Sequence, residues 1–311
     1  MSTQPNQTNW LDRLSAWWFP AAPAERLAAL RVLIGLFSTI WLLAAAPVLI
    51  GFDQFSPDRF EPVGVVTLLG SPLPAALEIA AWLLALVASG LALVGWRWRI
   101  VGPIYALALL WVISYRNCWG MIFHSENLLV LHALVLALLP AADAWSLDAR
   151  RAGWPEHEAH PRYGWGLKLM ATLTAIAYLM AGIAKLRAAG FEWLDGDMLL
   201  GHVAWDNLRK VELGDTHSPI GAWLAGHAWV FTPLAWLSLG LELGAPLSLL
   251  HRRIAAVWAI GMWGFHLGVL AIMAILFAYP LSGIAFAPSF AVERPVQRWF
   301  ARRRARVSVV E

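Results

Sequence analysis

Cysteine and charge are what this 311-residue sequence has least of. Its single cysteine, Cys118, allows no intrachain disulfide, so the fold must come from packing. Charged residues make up only 14% of the chain, whereas hydrophobic residues make up 59% and the mean hydropathy is +0.60. These values exclude an ordinary soluble domain. The sequence predicts an integral membrane protein, and its 20 Trp residues fit that class because indole rings favour the membrane–water interface.

The sequence also lacks the motifs of several well-known chemistries. It contains no P-loop, no dinucleotide-binding fingerprint, no metal-type Cys/His spacing and no internal repeat. We therefore predict no metal ion. The net charge of +3 does not indicate nucleic acid as a partner, because the basic residues cluster at the ends of apolar runs and in the C-terminal tail. The lipid bilayer is the expected partner.

Seven apolar runs are long enough to cross a hydrocarbon core of about 30 Å. They cover about residues 28–48, 74–95, 99–118, 122–142, 165–186, 229–250 and 253–275. A shorter run at about 278–291 contains Pro280 and Pro288 and is either an eighth span or a re-entrant segment. If it spans, most Lys and Arg residues lie on the side of the two termini. We predict an all-α, polytopic transmembrane helical bundle of about eight spans with both termini cytoplasmic.

The predicted bundle has a short segment on either side. Residues 1–24 lack the charged, apolar and small-residue order of a cleaved signal peptide, so we expect them to form an N-terminal interfacial segment. Residues 25–291 form the predicted transmembrane domain, and residues 292–311 a basic cytoplasmic tail. The expected location is the cell membrane, as a multi-pass protein, with the bacterial inner membrane favoured.

Lys185 is the most informative polar residue of the chain, because it lies near the end of the apolar stretch Leu167–Leu186. A buried, unpaired charge in a bilayer costs at least a few kcal/mol, so an intramembrane lysine is a functional-site hypothesis by default. The alternative is that Lys185 snorkels to the lipid headgroups, as lysines near span ends often do.

Further polar groups are predicted in the same outer half of the membrane as Lys185. They come from several spans, and together they suggest a polar cavity. They are Arg116, Asn117, His124, Glu126 and His266. Tyr178, seven residues before Lys185, falls on the same helical face and either lines this cavity or belongs to the core.

Two other intramembrane charges, Arg31 and Glu242, are expected to be structural. They either pair with each other or hydrogen-bond to the backbone and fix the register of their helices. Neither arrangement requires a ligand.

Several stretches follow one another in a characteristic order. They are Leu30-Arg31-Val32 with Gly35, Gly95-Trp96-Arg97-Trp98-Arg99, Arg116-Asn117, Leu139-Pro140 through Trp145-Ser146-Leu147-Asp148, Ala181-Gly182-Ile183-Ala184-Lys185-Leu186 with Trp193-Leu194-Asp195-Gly196, Leu241-Glu242-Leu243 and Phe265-His266. In this order they resemble the vitamin K-dependent γ-carboxylase-like transmembrane family, also called the HTTM domain. The resemblance covers about residues 25–290 and is to the short form, without the large extracytoplasmic domain.

The resemblance implies a role for each candidate residue. Lys185 would be the base that deprotonates a reduced quinone of the vitamin K or menaquinol type, with O2 and CO2 as co-substrates in carboxylase-like chemistry. His124 and His266 would be the other catalytic residues, acting as hydrogen-bonding or proton-relay groups. The pocket for substrate and cofactor would be formed by Arg116, Asn117, Glu126, Tyr178 and Trp193.

Two functions stay open on this basis. One is a quinol-dependent oxidase, epoxidase or carboxylase-like enzyme, whose partners are a lipid-soluble quinone and a peptide or small-molecule substrate. The other is a non-enzymatic membrane scaffold, maturation factor or small-ligand-binding protein, in which Lys185 anchors an anion or a carbonyl group. Lys185→Arg separates them, because arginine keeps the charge but does not act as a base near neutral pH.

Overall fold

The regular elements of the chain are helices, as the sequence predicts, and the described residues contain no strand. The computed structural model describes residues 9–307, apart from the side chains of residues 300 and 303–307. The α-helices are α1 (Trp10–Trp18), α2 (Ala24–Ala44), α3 (Ala46–Leu49), α4 (Ala75–Val94), α5 (Trp98–Arg116), α6 (Asn127–Ala137), α7 (Leu147–Arg151), α8 (Pro161–Ala189), α9 (Asp197–Glu212), α10 (Pro219–Leu224), α11 (Phe231–Leu243), α12 (Arg252–Met273), α13 (Ala278–Leu281) and α14 (Arg294–Val307). Short 3-10 turns connect several of them, including Gly190–Asp195 and Ile284–Ser289.

Five helical segments of the described chain are long and apolar enough to cross a membrane. They are α2, α4, α5, the segment Pro161–Asp195 that contains α8, and α12. Two further apolar helices, Asn127–Ala137 and Ala228–Leu243, are shorter. At about 1.5 Å per residue, the 11 residues of α6 extend only about half of a hydrocarbon core. Membrane-crossing length is thus found for five of the eight predicted spans.

The segment at 278–291 is not one continuous helix. It consists of α13 and the 3-10 turn Ile284–Ser289, with Gly283 between them at φ +78°. Pro280 and Pro288 each lack a backbone N–H, so neither can donate the backbone hydrogen bond that continues a regular helix. The sequence analysis allowed two interpretations of this segment, an eighth span or a re-entrant segment. A broken helix is the geometry expected of a re-entrant segment.

The chain divides into two compact units. Among the described residues, the first unit comprises 9–170 and 291–307, and the second unit comprises 171–290. The first of the two boundaries, at residue 170, falls within α8. Each unit is described below by itself.

Arg31 is the central polar residue of the first unit, where its side chain is almost completely buried. Its guanidinium donates hydrogen bonds to four backbone carbonyls: Ala92 O and Ala141 O at 3.0 Å, and Leu93 O and Trp145 O at 2.5 Å. Of the two arrangements expected for Arg31, hydrogen bonding to the backbone is therefore the one observed. The five donors of an arginine make it suited to joining several segments at once.

Two of the motifs that carry the family resemblance meet beside Arg31. Gly95 has φ +64°, and a Cβ atom there would lie 2.5 Å from Ser146 Cβ, so no larger residue fits. The Asp148 carboxylate accepts hydrogen bonds of 2.8 Å from the backbone N–H groups of both Arg97 and Trp98 and so caps the start of α5. These motif residues thus act in the fold of the first unit.

Candidate functional site

Lys185 forms an ion pair with Glu242 in the second unit. Its Nζ atom lies 2.5 Å from Glu242 Oε1 and 2.6 Å from Oε2. The Glu242 side chain is 4% exposed and that of Lys185 is 21% exposed, so the carboxylate is covered while part of the lysine side chain is exposed. Lys185 therefore does more than snorkel to lipid headgroups, because a buried acid holds it.

Gly182 makes this ion pair possible. It precedes Lys185 by three residues and shares its face of α8. A Cβ atom at Gly182 would lie 2.9 Å from Leu243 Cδ2 and 3.0 Å from Glu242 Cβ. The glycine of the Ala-Gly-x-x-Lys-Leu segment therefore lets α8 approach α11 closely enough for the lysine to reach the glutamate.

Gly196 fixes the chain that follows α8. Its φ is +92°, and a Cβ atom there would lie 2.4 Å from Thr232 N, so the turn needs glycine both for its conformation and for its close approach to α11. The Thr232 hydroxyl donates a 2.7 Å hydrogen bond to Asp195 O and closes the same junction. This turn places Trp193 in a small core with Ala235 and Leu239.

Trp193 lies directly beside Lys185 and has unused hydrogen-bonding capacity. The Lys185 Nζ atom is 5.1 Å from the centroid of its ring. The indole is 6% exposed, and its Nε1–H has no hydrogen-bond partner within the described part of the chain. Two other buried indoles are satisfied, since Trp98 donates to Leu139 O at 2.7 Å and Trp258 to Leu241 O at 2.9 Å. A buried donor without an acceptor costs about 1–3 kcal/mol, so this one calls for an explanation.

Tyr178 and His266 form a second polar pair in the same unit. The Tyr178 hydroxyl lies 2.8 Å from His266 Nε2, and both side chains are buried. Phe265, next to His266 in α12, has its ring 5.6 Å from Lys185 Nζ, and Glu242 lies within electrostatic range of Tyr178. The two polar pairs thus belong to one region, which we call the Lys185 cluster: Lys185, Glu242, Tyr178, His266 and Trp193.

The remaining predicted site residues form a separate network in the first unit. Glu126 accepts hydrogen bonds from Arg116 Nη1 at 3.1 Å, Trp41 Nε1 at 3.2 Å and Ser125 Oγ at 2.7 Å. Both of its carboxylate oxygens are therefore occupied. Asn117 and the backbone of Phe123 hydrogen-bond to each other, and the neighbouring His124 is exposed.

The partner of Glu242 differs from the one that the sequence analysis expected. We expected Glu242 to pair with Arg31 or to hydrogen-bond to the backbone, whereas in the structure it pairs with Lys185. An intramembrane acid needs a cation nearby, and Arg31, Lys168 and Lys185 all fall within the predicted spans. The sequence does not say which of the three is close, since 57 residues separate Lys185 from Glu242.

These features define the class of the protein. Apolar helices of membrane-crossing length together with a buried intramembrane ion pair are typical of polytopic α-helical membrane proteins. The family model of the HTTM domain matches residues 19–292, and the chain belongs to that family. The HTTM domain is a membrane domain of the vitamin K-dependent carboxylase family, so the resemblance inferred from the motifs is confirmed. No curated protein and no solved structure matches the chain significantly.

Proposed function

We propose that the second unit is the reactive site of a quinol-dependent membrane enzyme, an oxidase, epoxidase or carboxylase-like enzyme, with Lys185 as its base. The observation that carries the proposal is the juxtaposition of Lys185 Nζ, 2.5 Å from a covered carboxylate, with an indole whose N–H lacks an acceptor among the described residues. A base and a vacant hydrogen-bond donor side by side fit a ligand that offers both a proton and an oxygen atom.

The residues around Lys185 carry groups that a reduced quinone would contact. The rings of Trp193 and Phe265 lie 5.1 Å and 5.6 Å from Nζ and provide apolar faces for a flat ring. The buried Trp193 Nε1–H would donate to one quinone oxygen, and Lys185 would face the hydroxyl that reacts. When bound, the reduced quinone supplies the proton to be removed and the electrons for the reaction with O2.

The partner of Lys185 explains how a lysine acts as a base in such a place. Lys185 and Glu242 share one proton as an ion pair, and its transfer across the 2.5 Å hydrogen bond from Nζ to Oε1 leaves a neutral amine beside a neutral acid. Low-dielectric surroundings favour the neutral pair, because they penalise both charged forms. The free amine can then take the proton of a ligand hydroxyl.

Tyr178 and His266 are the relay in this proposal. A hydroxyl and an imidazole 2.8 Å apart can hold a proton or pass it on. Glu242 acts electrostatically on Tyr178, and the ring of Phe265 contacts that of His266. The catalytic role of His124 stays a prediction, because His124 belongs to the network of the first unit.

A second function is favoured by one feature of the ion pair. Both Glu242 oxygens lie within hydrogen-bond distance of Nζ, an arrangement that holds Lys185 as a cation. In this alternative the protein is a scaffold, maturation factor or small-ligand-binding protein, and the held ammonium anchors an anion or a carbonyl group.

An assay with purified protein distinguishes the enzymatic function from the ligand-binding function. The protein receives a reduced naphthoquinone and O2, and the oxidised quinone and its epoxide are measured. We expect Lys185→Ala to lower the rate by at least about 100-fold, the usual contribution of a general base. Lys168→Ala is the matched control, because it makes the same change in the same helix, outside the second unit. Equal rates for wild type and Lys185→Ala would overturn the proposal, and full function in Lys185→Arg would favour ligand binding.

A further inference from the structure

Glu78 in the first unit is a buried acid that the proposed function does not use. It lies in the first turn of α4 and is 5% exposed. Its Oε2 atom is fully buried and has no hydrogen-bond partner among residues 9–307. A buried carboxyl oxygen without a donor is unfavourable, so the site is incomplete as the described chain forms it.

Tyr115 lies beside Glu78 in the lining of one pocket. Its hydroxyl accepts a 3.0 Å hydrogen bond from the backbone N–H of Leu73 and keeps one proton to donate. One proton can serve only one of the two Glu78 oxygens, and Oε2 is without a partner among the described residues.

The vacant oxygen belongs to an aromatic pocket. Glu78 and Tyr115 line it together with Phe52, Trp82 and Trp111. Its empty space of about 250 Å³ is open to the outside and has room within it for about one water-sized group. The indole N–H of Trp82 does not serve Glu78, because it already donates to a backbone carbonyl at 3.0 Å.

The pocket therefore combines the features that select a cation. It has a carboxyl oxygen that lacks a donor, and aromatic walls whose faces attract positive charge. The exposed carboxylate of Asp53 acts on Glu78 electrostatically and adds negative potential. A primary –NH3⁺ group is small and has N–H groups to donate to Oε2, whereas a quaternary ammonium is larger and has none.

We propose that the Glu78 pocket binds a primary ammonium group. This group donates one N–H to Glu78 Oε2 and turns its charge toward the surrounding rings. Two sources carry the same chemistry: the ethanolamine headgroup of a phospholipid and a soluble primary amine. The pocket is distinct from the Lys185 cluster, and its occupation does not depend on the function proposed above.

Thermal unfolding of the purified full-length protein tests this directly. Methylammonium chloride is compared with tetramethylammonium chloride and sodium chloride at equal ionic strength. Well above the dissociation constant, we expect methylammonium to raise the Tm of the wild type by about 2–4 °C over the other two salts. Glu78→Gln should abolish that rise. Glu25→Gln, the same change in the first turn of α2, should preserve it.

A second arm identifies the source of the ammonium group. Protein in nanodiscs of ethanolamine phospholipid is compared with protein in nanodiscs of choline phospholipid. A higher Tm in the ethanolamine lipid that requires Glu78 assigns the site to the headgroup. A Glu78-dependent response to methylammonium alone assigns it to a soluble amine. Either result supports the pocket.

Three outcomes would overturn the proposal. They are no response of the wild type to methylammonium, an equal response in Glu78→Gln, and an equal response to tetramethylammonium. If Glu78→Gln does not fold, Trp111→Leu keeps the carboxyl group and removes an aromatic wall of the pocket. This variant should need at least about threefold more methylammonium for the same rise, from the loss of one cation–π contact. An unchanged requirement would contradict the proposal.

Discussion

Each unit of this protein holds a cation within a predicted span, and the two are held in different ways. In the first unit, Arg31 is 1% exposed and donates to four backbone carbonyls. In the second unit, the Lys185 side chain is 21% exposed and is held by the carboxylate of Glu242. A carbonyl cannot take up a proton under ordinary conditions, whereas a carboxylate can. The first arrangement therefore fixes a fold, and the second is able to exchange a proton.

One buried tryptophan from each unit shows the same contrast. Trp98 of the first unit donates to Leu139 O, so its hydrogen-bonding capacity is used within the protein. Trp193 of the second unit is equally buried, but its N–H finds no acceptor among the residues described. Unused hydrogen-bonding capacity beside an ion pair is the feature that supports the proposed binding site, and the Arg31 junction lacks it.

The largest expected effect comes from breaking the Arg31 junction. Arg31→Met leaves four buried carbonyls without their donor and should destabilise the protein by about 3–5 kcal/mol. We expect loss of the monodisperse peak in size-exclusion chromatography, or a Tm lower by many degrees. A folded, fully active Arg31→Met variant would remove the distinction between the two cations.

The next effect concerns the turn that places Trp193. Gly196→Ala puts a Cβ atom 2.4 Å from Thr232 N at φ +92° and should cost about 2–3 kcal/mol through strain and displacement of the turn. Gly201→Ala in α9 is the control, because a Cβ atom there meets nothing within 4 Å. Thermal unfolding should show a large drop for the first variant and no drop for the second. Equal Tm values would show that the turn is not constrained as described.

Removing Lys185 and removing Glu242 should lower the free energy of unfolding by different amounts. Lys185→Met strands Glu242, whose side chain is 4% exposed, and should cost about 2 kcal/mol. Glu242→Gln leaves a lysine that still reaches the outside, so its cost should be smaller. The double variant Lys185→Met with Glu242→Gln should recover part of the loss. Urea or thermal unfolding measures all three, and equal costs for the single variants would argue against the burial difference.

The smallest expected effect on stability comes from an ion pair of the first unit that we regard as structural. Arg26 holds Glu293 at 2.9 Å. Burial by itself would raise the pKa of Glu293, but the hydrogen bonds and charge of Arg26, with the charge of Arg294, lower that pKa below its usual value. A depressed carboxyl pKa stabilises the fold above the ordinary pKa of glutamate, and this contribution is lost as the pH falls through the folded-state pKa.

The corresponding experiment follows Tm as a function of pH for wild type and Glu293→Gln. The variant should be less stable at neutral pH by about 1 kcal/mol and should lose less stability on acidification. Its quinol-dependent activity should be unchanged, since Glu293 is outside the Lys185 cluster. Parallel acid denaturation curves for the two proteins would contradict the role given to this ion pair.

The local features of the site could be predicted from sequence. The spacing of seven residues between Tyr178 and Lys185 indicated a shared face of one helix, and both residues belong to the Lys185 cluster. The partner of Lys185 could not be predicted, because Glu242 is 57 residues away and only helix packing brings the two together. The role of Trp193 Nε1 was also hidden, since a missing acceptor is a property of the folded surroundings.

The predicted spans also show what the sequence does and does not predict. Long, uninterrupted apolar runs such as 74–95 became helices close to the predicted bounds, as in α4. The apolar run 122–142 contains only the 11-residue α6. Pro140 explains the end of that helix, because proline restricts the residue before it and offers no N–H. Hydropathy reports apolar surroundings, whereas proline and glycine decide whether a continuous helix forms there.

The central claim is that the Lys185 cluster binds a reduced quinone. A density map of the wild-type protein with the quinone added tests this claim most directly. The account predicts density for the ring between Trp193 and Phe265, with one oxygen within hydrogen-bond distance of Trp193 Nε1 and another facing Lys185 Nζ. Lys185→Ala should lose that density or its orientation. Quinone density elsewhere in the protein, with the Lys185 cluster free of ligand, would contradict the account.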